Sequence, residues 1–200
     1  MSERPEAHPA ATSAAARYPQ ALAAFGRQVR RVAPHQWAAP TPCTDWSVRD
    51  LVNHVTVEQL WVPELLMGAT VAEVGGRFDG DVLDDDPAAF WQTAADAAQE
   101  AFGVPGAAEV TVHLSYGDVG APIYCAQLLA DTVVHTWDLA RAIGADPALA
   151  PELVDFALGE VTGHGEDLAA SGLFGPPVPT PDDVTPLTRL LGLTGRREGP

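Results

Sequence analysis

Apolar side chains recur along this chain mostly at three- and four-residue steps, and the stretches that keep this step predict amphipathic helices. Tyr18, Leu22, Phe25, Val29 and Val32 follow it, so a helix is expected from about Ser13 until shortly before Pro34. In the stretch TPCTDWSVRDLVNHVTVEQLWVPELLMG, Ser47 and Asp50 form a capping-box start for a helix reaching about Met67. Pro63 is placed to kink its last turns and Gly68 to end it. The run GGRFDGDVLDDD, residues 75–86, reads as a loop whose last acids cap a helix from Pro87 to about Phe102. That helix carries Phe90, Trp91, Ala94, Ala98 and Phe102 on one face. Residues 108–116, AEVTVHLSY, are β-branched and partly alternating, which predicts a short extended segment. Pro122 and Gly144 bracket a long helix over 121–143, and Pro151 and Gly172 bracket another over about 151–170.

These elements predict an all-α fold: a four-helix bundle with short extra helices and a short extended segment near 108–116. Residues 1–12 have nothing periodic to bury and read as a disordered tail. The bundle is expected over 13–171. Residues 172–200 are Pro-rich with one apolar turn at Leu187–Leu191, and should wrap onto the bundle as an extension.

Composition narrows the partners. The 200 residues, 46% of them hydrophobic, suit one domain with a full core. Asp and Glu number 27 against 11 Lys and Arg, a net charge of −16 that repels phosphate backbones and anionic lipid. Nucleic acid and membrane are therefore not expected as partners; a small-molecule substrate is. Cys43 and Cys125 form no CxxC or zinc-knuckle spacing, no signal-peptide core opens the chain, and no apolar run reaches membrane-span length. A cytoplasmic protein is expected, as a monomer or homodimer.

Within the Ala- and Leu-rich run ADTVVHTWDLARAIG, Asp131 and His135 stand four apart, so both side chains leave the same helix face. His54 and Glu58 repeat that spacing among Leu51, Val55, Leu60 and Trp61. Burying such groups singly is costly, and helix bundles relieve that cost by closing His and carboxylates from facing helices on one metal ion. His54, Asp131 and His135 are the leading ligand set, with Glu58 as a fourth ligand or as the catalytic base beside the ion. Asp138 is placed to orient a neighbour or to pair with Arg141 at a solvated or interhelical salt bridge. On spacing alone, a hydrogen-bonded core or boundary histidine is the commoner arrangement, and the His–carboxylate spacings also fit local pairs.

Other motifs fail. The acidic run from Asp79 has Asp84 where a calcium loop needs Gly and Phe90 where it needs Glu, so its acids read as solvated or capping. HLSYG at 113–117 lacks the first Gly of a nucleophile elbow. His8, His35, His113 and His164 read as structural or exposed, with His113 able to reach a cavity. Trp46, Trp61, Trp91 and Trp137 read as core, with Trp61 or Trp137 the alternative pocket walls.

TPCTDWSVRDLVNHV, the Asp-x-x-x-His-x-Trp-Asp-Leu run at 131–139 and FGPPVPTPDDVTPLTRLLGLTGR together resemble the actinobacterial metal-binding branch of the DinB-like superfamily, near the mycothiol-dependent maleylpyruvate isomerases. The likeness spans about residues 15–195. It implies a four-helix bundle holding one divalent metal, usually Zn2+ with Ni2+ or Fe2+ as alternatives, on His54, Asp131 and His135. Two departures stand out: Asp131 occupies a position where the isomerases carry Glu, and the chain is too short for their second, C-terminal domain. Mycothiol as cofactor is accordingly an open expectation.

The function expected is a metal-dependent transferase or isomerase acting on a small electrophile by thiol transfer, isomerisation or addition–elimination. The alternative is a metal-retaining protein that binds a small ligand or a partner without turnover.

Overall fold

The computed structural model describes residues 9–163 and 174–198. It is mostly helical. Helix α1 spans Pro9–Val29, α2 Val48–Leu66, α3 Val71–Val74, α4 Pro87–Gly103, α5 Ala121–Ala142, α6 Pro151–Gly163 and α7 Pro186–Leu193. The tail expected at the N-terminus lies, over residues 1–8, outside the described residues, and so do residues 164–170 of the helix expected over 151–170. α1 begins at Pro9, ahead of the first apolar step in the sequence.

The termini follow local chemistry. At the start of α2 the Ser47 amide donates to Asp50 Oδ2 at 2.9 Å and the Asp50 amide returns a bond to Ser47 Oγ at 3.2 Å, a reciprocal cap of two otherwise orphaned donors. Asp86 caps α4 by accepting from the Ala89 amide at 3.1 Å. Gly68 and Gly144, at φ 91° and 69°, take the left-handed conformation that ends α2 and α5.

Helices α1, α5, α2 and α4 contact one another in that cyclic order and close the bundle; α6 packs on α5, and α7 on α6. The face expected of α1 is inside: Tyr18, Leu22, Phe25 and Val29 are buried, and Phe25 meets Trp91 of α4 at 4.7 Å between ring centroids. Helix α5 runs through the centre, buried almost all round from Ala121 to Ala140. Its Thr132 and Thr136 hydroxyls bond the carbonyls one turn back, Leu128 and Thr132, each at 2.7 Å, which satisfies them without a tertiary partner.

Where one extended segment was expected, two strands form. β1 (Thr111–Leu114) pairs antiparallel with β2 (Gly117–Gly120), from Thr111 opposite Gly120 to Leu114 opposite Gly117. The second strand, Gly-Asp-Val-Gly, has too few side chains to show a period. Val112, fully buried, anchors the hairpin at the α2 side of the bundle. Among the described residues no helix is long and apolar enough to cross a membrane.

Candidate metal centre

The α2–α5 contact brings three of the sequence-selected side chains to one point. His54 comes from the second turn of α2 and Asp131 and His135 from the middle of α5. His135 Nε2 lies 3.3 Å from Asp131 Oδ1, and His54 Nε2 lies 3.8 Å from Asp131 Oδ2. The imidazole rings meet edge to face at 5.2 Å between centroids. One ligand atom from each of the three falls within 4.8 Å of the others. The cluster is graded in access: His135 is 3% exposed, His54 28% and Asp131 21%. Its open side is therefore toward His54.

The other ring nitrogen of His135 is also engaged. Nδ1 lies 3.0 Å from Asp138 Oδ2, at a carboxylate with no exposure at all. Asp138 thus lies against its neighbour's ring; of the solvated or interhelical salt bridge with Arg141 expected of it, burial overturns the solvated form. The guanidinium found on it belongs to Arg196, beyond α7, which donates through Nε to Oδ1 at 3.2 Å and through Nη2 to Oδ2 at 2.8 Å. Cys43 joins the same group, its Sγ 3.3 Å from Asp138 Oδ2 and 3.8 Å from His135 Nδ1.

Cys43, His135 and Asp138 form a second set of ligand atoms. A cation among them would sit against the Arg196 guanidinium, 3.4 Å from the sulfur, and would have to compete with a bidentate ion pair for Asp138. The His54–Asp131–His135 set faces no such competitor among the described residues, and its imidazole-and-carboxylate chemistry suits a divalent ion of borderline softness.

Electrostatics favour a positive charge at this point, which a proton on His135 supplies and a metal ion would have to displace. Burial opposes the charge on His135, yet the attraction and hydrogen bond of Asp131 and the hydrogen bonds of Asp138 and Cys43 hold its pKa well above the usual imidazole value. Burial likewise raises the carboxyl pKa of Asp131 and of Asp138, and the cations beside them more than reverse it. The cluster is thus built around a positive charge at His135. Burial lowers His54, only partly offset by Asp131. Glu58 is half-buried, and burial together with the Asp131 charge pushes its carboxyl up to about 7, against a smaller opposing pull from His135.

Trp46 lies over the site, 4.8 Å from the His54 ring and 5.9 Å from that of His135. It had been expected only to fill core; Trp61 packs on Phe78 instead, at 5.8 Å. Beside His54 opens a groove of about 460 Å³, lined by Asp45, Trp46, Asp50, Val57, Phe78 and Asp79. His113 is engaged elsewhere, 2.8 Å from Asp118 across the hairpin, and His8 and His164 lie outside the described residues.

Cys43, Trp46 and Arg196 are the site residues that sequence reasoning missed. Cys43 and Trp46 lie just before the α2 cap, in a stretch with no helical period, and a lone Arg in a Pro-rich segment carries no signal of its own. Their presence within the two quoted runs TPCTDW and LTGR, both part of the noted resemblance, was the one available clue.

Comparison with known proteins adds to this picture. Residues 18–140, which include both helices of the cluster, match the family described as mycothiol maleylpyruvate isomerase N-terminal domain. An uncharacterized protein of Mycobacterium tuberculosis, from strains CDC 1551 and H37Rv alike, is 31% identical over 175 residues, covering 86% of this chain and 92% of that protein. No solved structure matches.

Proposed function

The chain belongs to the mycothiol maleylpyruvate isomerase N-terminal domain family, within the DinB-like superfamily, and on that premise we propose that it is a divalent-metal enzyme acting on a small electrophile. His54, Asp131 and His135 are its ligands, with Zn2+ the leading ion. Thiol transfer, isomerisation and addition–elimination are the reaction types in view. The observation that carries the reading is the convergence of these three side chains from two helices, with ligand atoms within 4.8 Å of one another.

The bound ion would supply Lewis acidity, polarising a substrate oxygen or stabilising a thiolate at neutral pH. The remaining work falls to the chain. Asp138 fixes the ring of His135 and leaves Nε2 aimed at the ligand cluster. Trp46 covers the two imidazoles on one side and limits access of water. Glu58, one turn after His54 on α2 and with its carboxyl pushed up to about 7, would be the base that takes a proton from the nucleophile and returns it to the product. The three aspartates lining the groove favour a substrate that is neutral or cationic away from its reacting atom. A thiol of the kind in the family's description is the co-substrate to supply in assays.

The test is elemental analysis of the purified protein beside His54→Ala. About one equivalent of metal in the wild type and its loss in the variant are expected; metal-free protein from metal-replete growth refutes the reading.

A further inference from the structure

Arg196 reaches the cluster from the far end of the described chain. Helix α7 closes at Thr194, Gly195 turns at φ 83°, and the Arg196 amide bonds back to the Leu191 carbonyl at 2.7 Å. That turn aims the side chain inward. Its Nη1 bonds the Thr194 carbonyl at 2.6 Å, which pins the guanidinium plane, and the group lies 5.2 Å from the centroid of the Phe174 ring. Nε and Nη2 then grip both oxygens of Asp138, and the whole residue is only 8% exposed.

Asp138 Oδ2 is the hub of this arrangement. It receives Arg196 Nη2 at 2.8 Å and Cys43 Sγ at 3.3 Å, and faces His135 Nδ1 at 3.0 Å. A carboxylate wholly out of water is held in one orientation only by its donors, and a planar two-point fork holds it better than a point charge. Removing the fork frees Asp138 to rotate or to take up a proton; either change releases the His135 ring and with it the direction of Nε2.

Resting on the metal-site reading above, we infer that Arg196 is a positioning residue of that site. It acts through Asp138, so the turn that follows α7 is part of the metal-binding apparatus. It touches neither the ion position nor the groove. Its effect is therefore on ligand geometry, read as metal affinity and ligand-field signature.

The experiment is a double-mutant cycle on the full chain: Arg196→Met, Asp138→Asn and the double variant, each titrated with Zn2+ against a chromophoric chelator, with Co2+ absorption spectra as the geometric readout. Outer residues of this kind cost about 10-fold or more in affinity, and a loss of about 10-fold is expected for Arg196→Met, with a changed Co2+ spectrum. Little further loss is expected when it is added to Asp138→Asn, because the path through Asp138 is already broken. Arg196→Lys should recover part of the affinity. If Arg196→Met does not fold, Arg196→Gln carries the same comparison. Zn2+ affinity of Arg196→Met (or Gln) within about twofold of wild type, or an undiminished loss in the Asp138→Asn background, overturns the role of Arg196 while leaving the metal site standing. A wild-type chain that binds no metal overturns both.

Discussion

Replacing Glu58 by Gln in the metal-free protein should make it more stable at neutral pH and leave it unchanged in acid. Burial raises the Glu58 carboxyl from 4.5 to about 7. In the unfolded chain the group ionises near 4.5, whereas in the folded chain it keeps its proton to about 7. Between those values the native state binds the extra proton, so stability falls as pH rises. The full cost of ionising the group in place is about 3 kcal/mol, from 1.36 kcal/mol per pH unit. Gln keeps the size of the protonated acid and cannot ionise, so the variant escapes that cost. For a chain of this size about 3 kcal/mol corresponds to roughly 6–12 °C in Tm. The assay is thermal unfolding of both proteins in chelator from pH 4.5 to 8, followed by circular dichroism. His54 and His135 titrate in both, so the difference between the two curves isolates Glu58: near zero at pH 4.5, rising through neutrality, level above it. A difference that does not change with pH, or that favours wild type above pH 7, refutes the reading that burial and the Asp131 charge hold Glu58 protonated.

Two further outcomes are expected. Asp131, Asp138 and Cys43 raise the pKa of His135 well above the usual imidazole value, so metal binding should release a proton; affinity should weaken as pH falls, and calorimetry in two buffers of different ionisation enthalpy at pH 7 should register proton release, its absence refuting His135 as a ligand. Gly195→Ala forces a side chain onto a residue at φ 83° whose Cβ would lie 2.9 Å from the Gly175 carbonyl carbon; about 1–3 kcal/mol of stability should be lost, measured as a lower Tm, and with it part of the metal affinity through Arg196.

Much of the molecule was legible from local sequence, and the reason is that helices announce themselves locally. The apolar step in α1, the Ser47–Asp50 cap, Pro122 at the start of α5 and Gly144 after it all act within about one helical turn, so their consequences are present in any window that contains them. Asp131 and His135 were visible for the same reason, four residues apart on one face, and His54 because an imidazole among core residues demands a partner. Which partner it meets is not a local property. The α2–α5 contact that sets His54 against Asp131 joins residues 77 positions apart, and nothing in either helix alone selects it over the other neighbours a bundle offers. Arg196 shows the limit most clearly. Its bonds to Asp138 and Cys43 cross 58 and 153 residues, and Asp138 carried an equally plausible local cation in Arg141. Periodicity and capping chose the helices; the packing of the tail over the bundle decided which charge neutralises the buried carboxylate, because desolvation makes that choice only after the chain has closed around it.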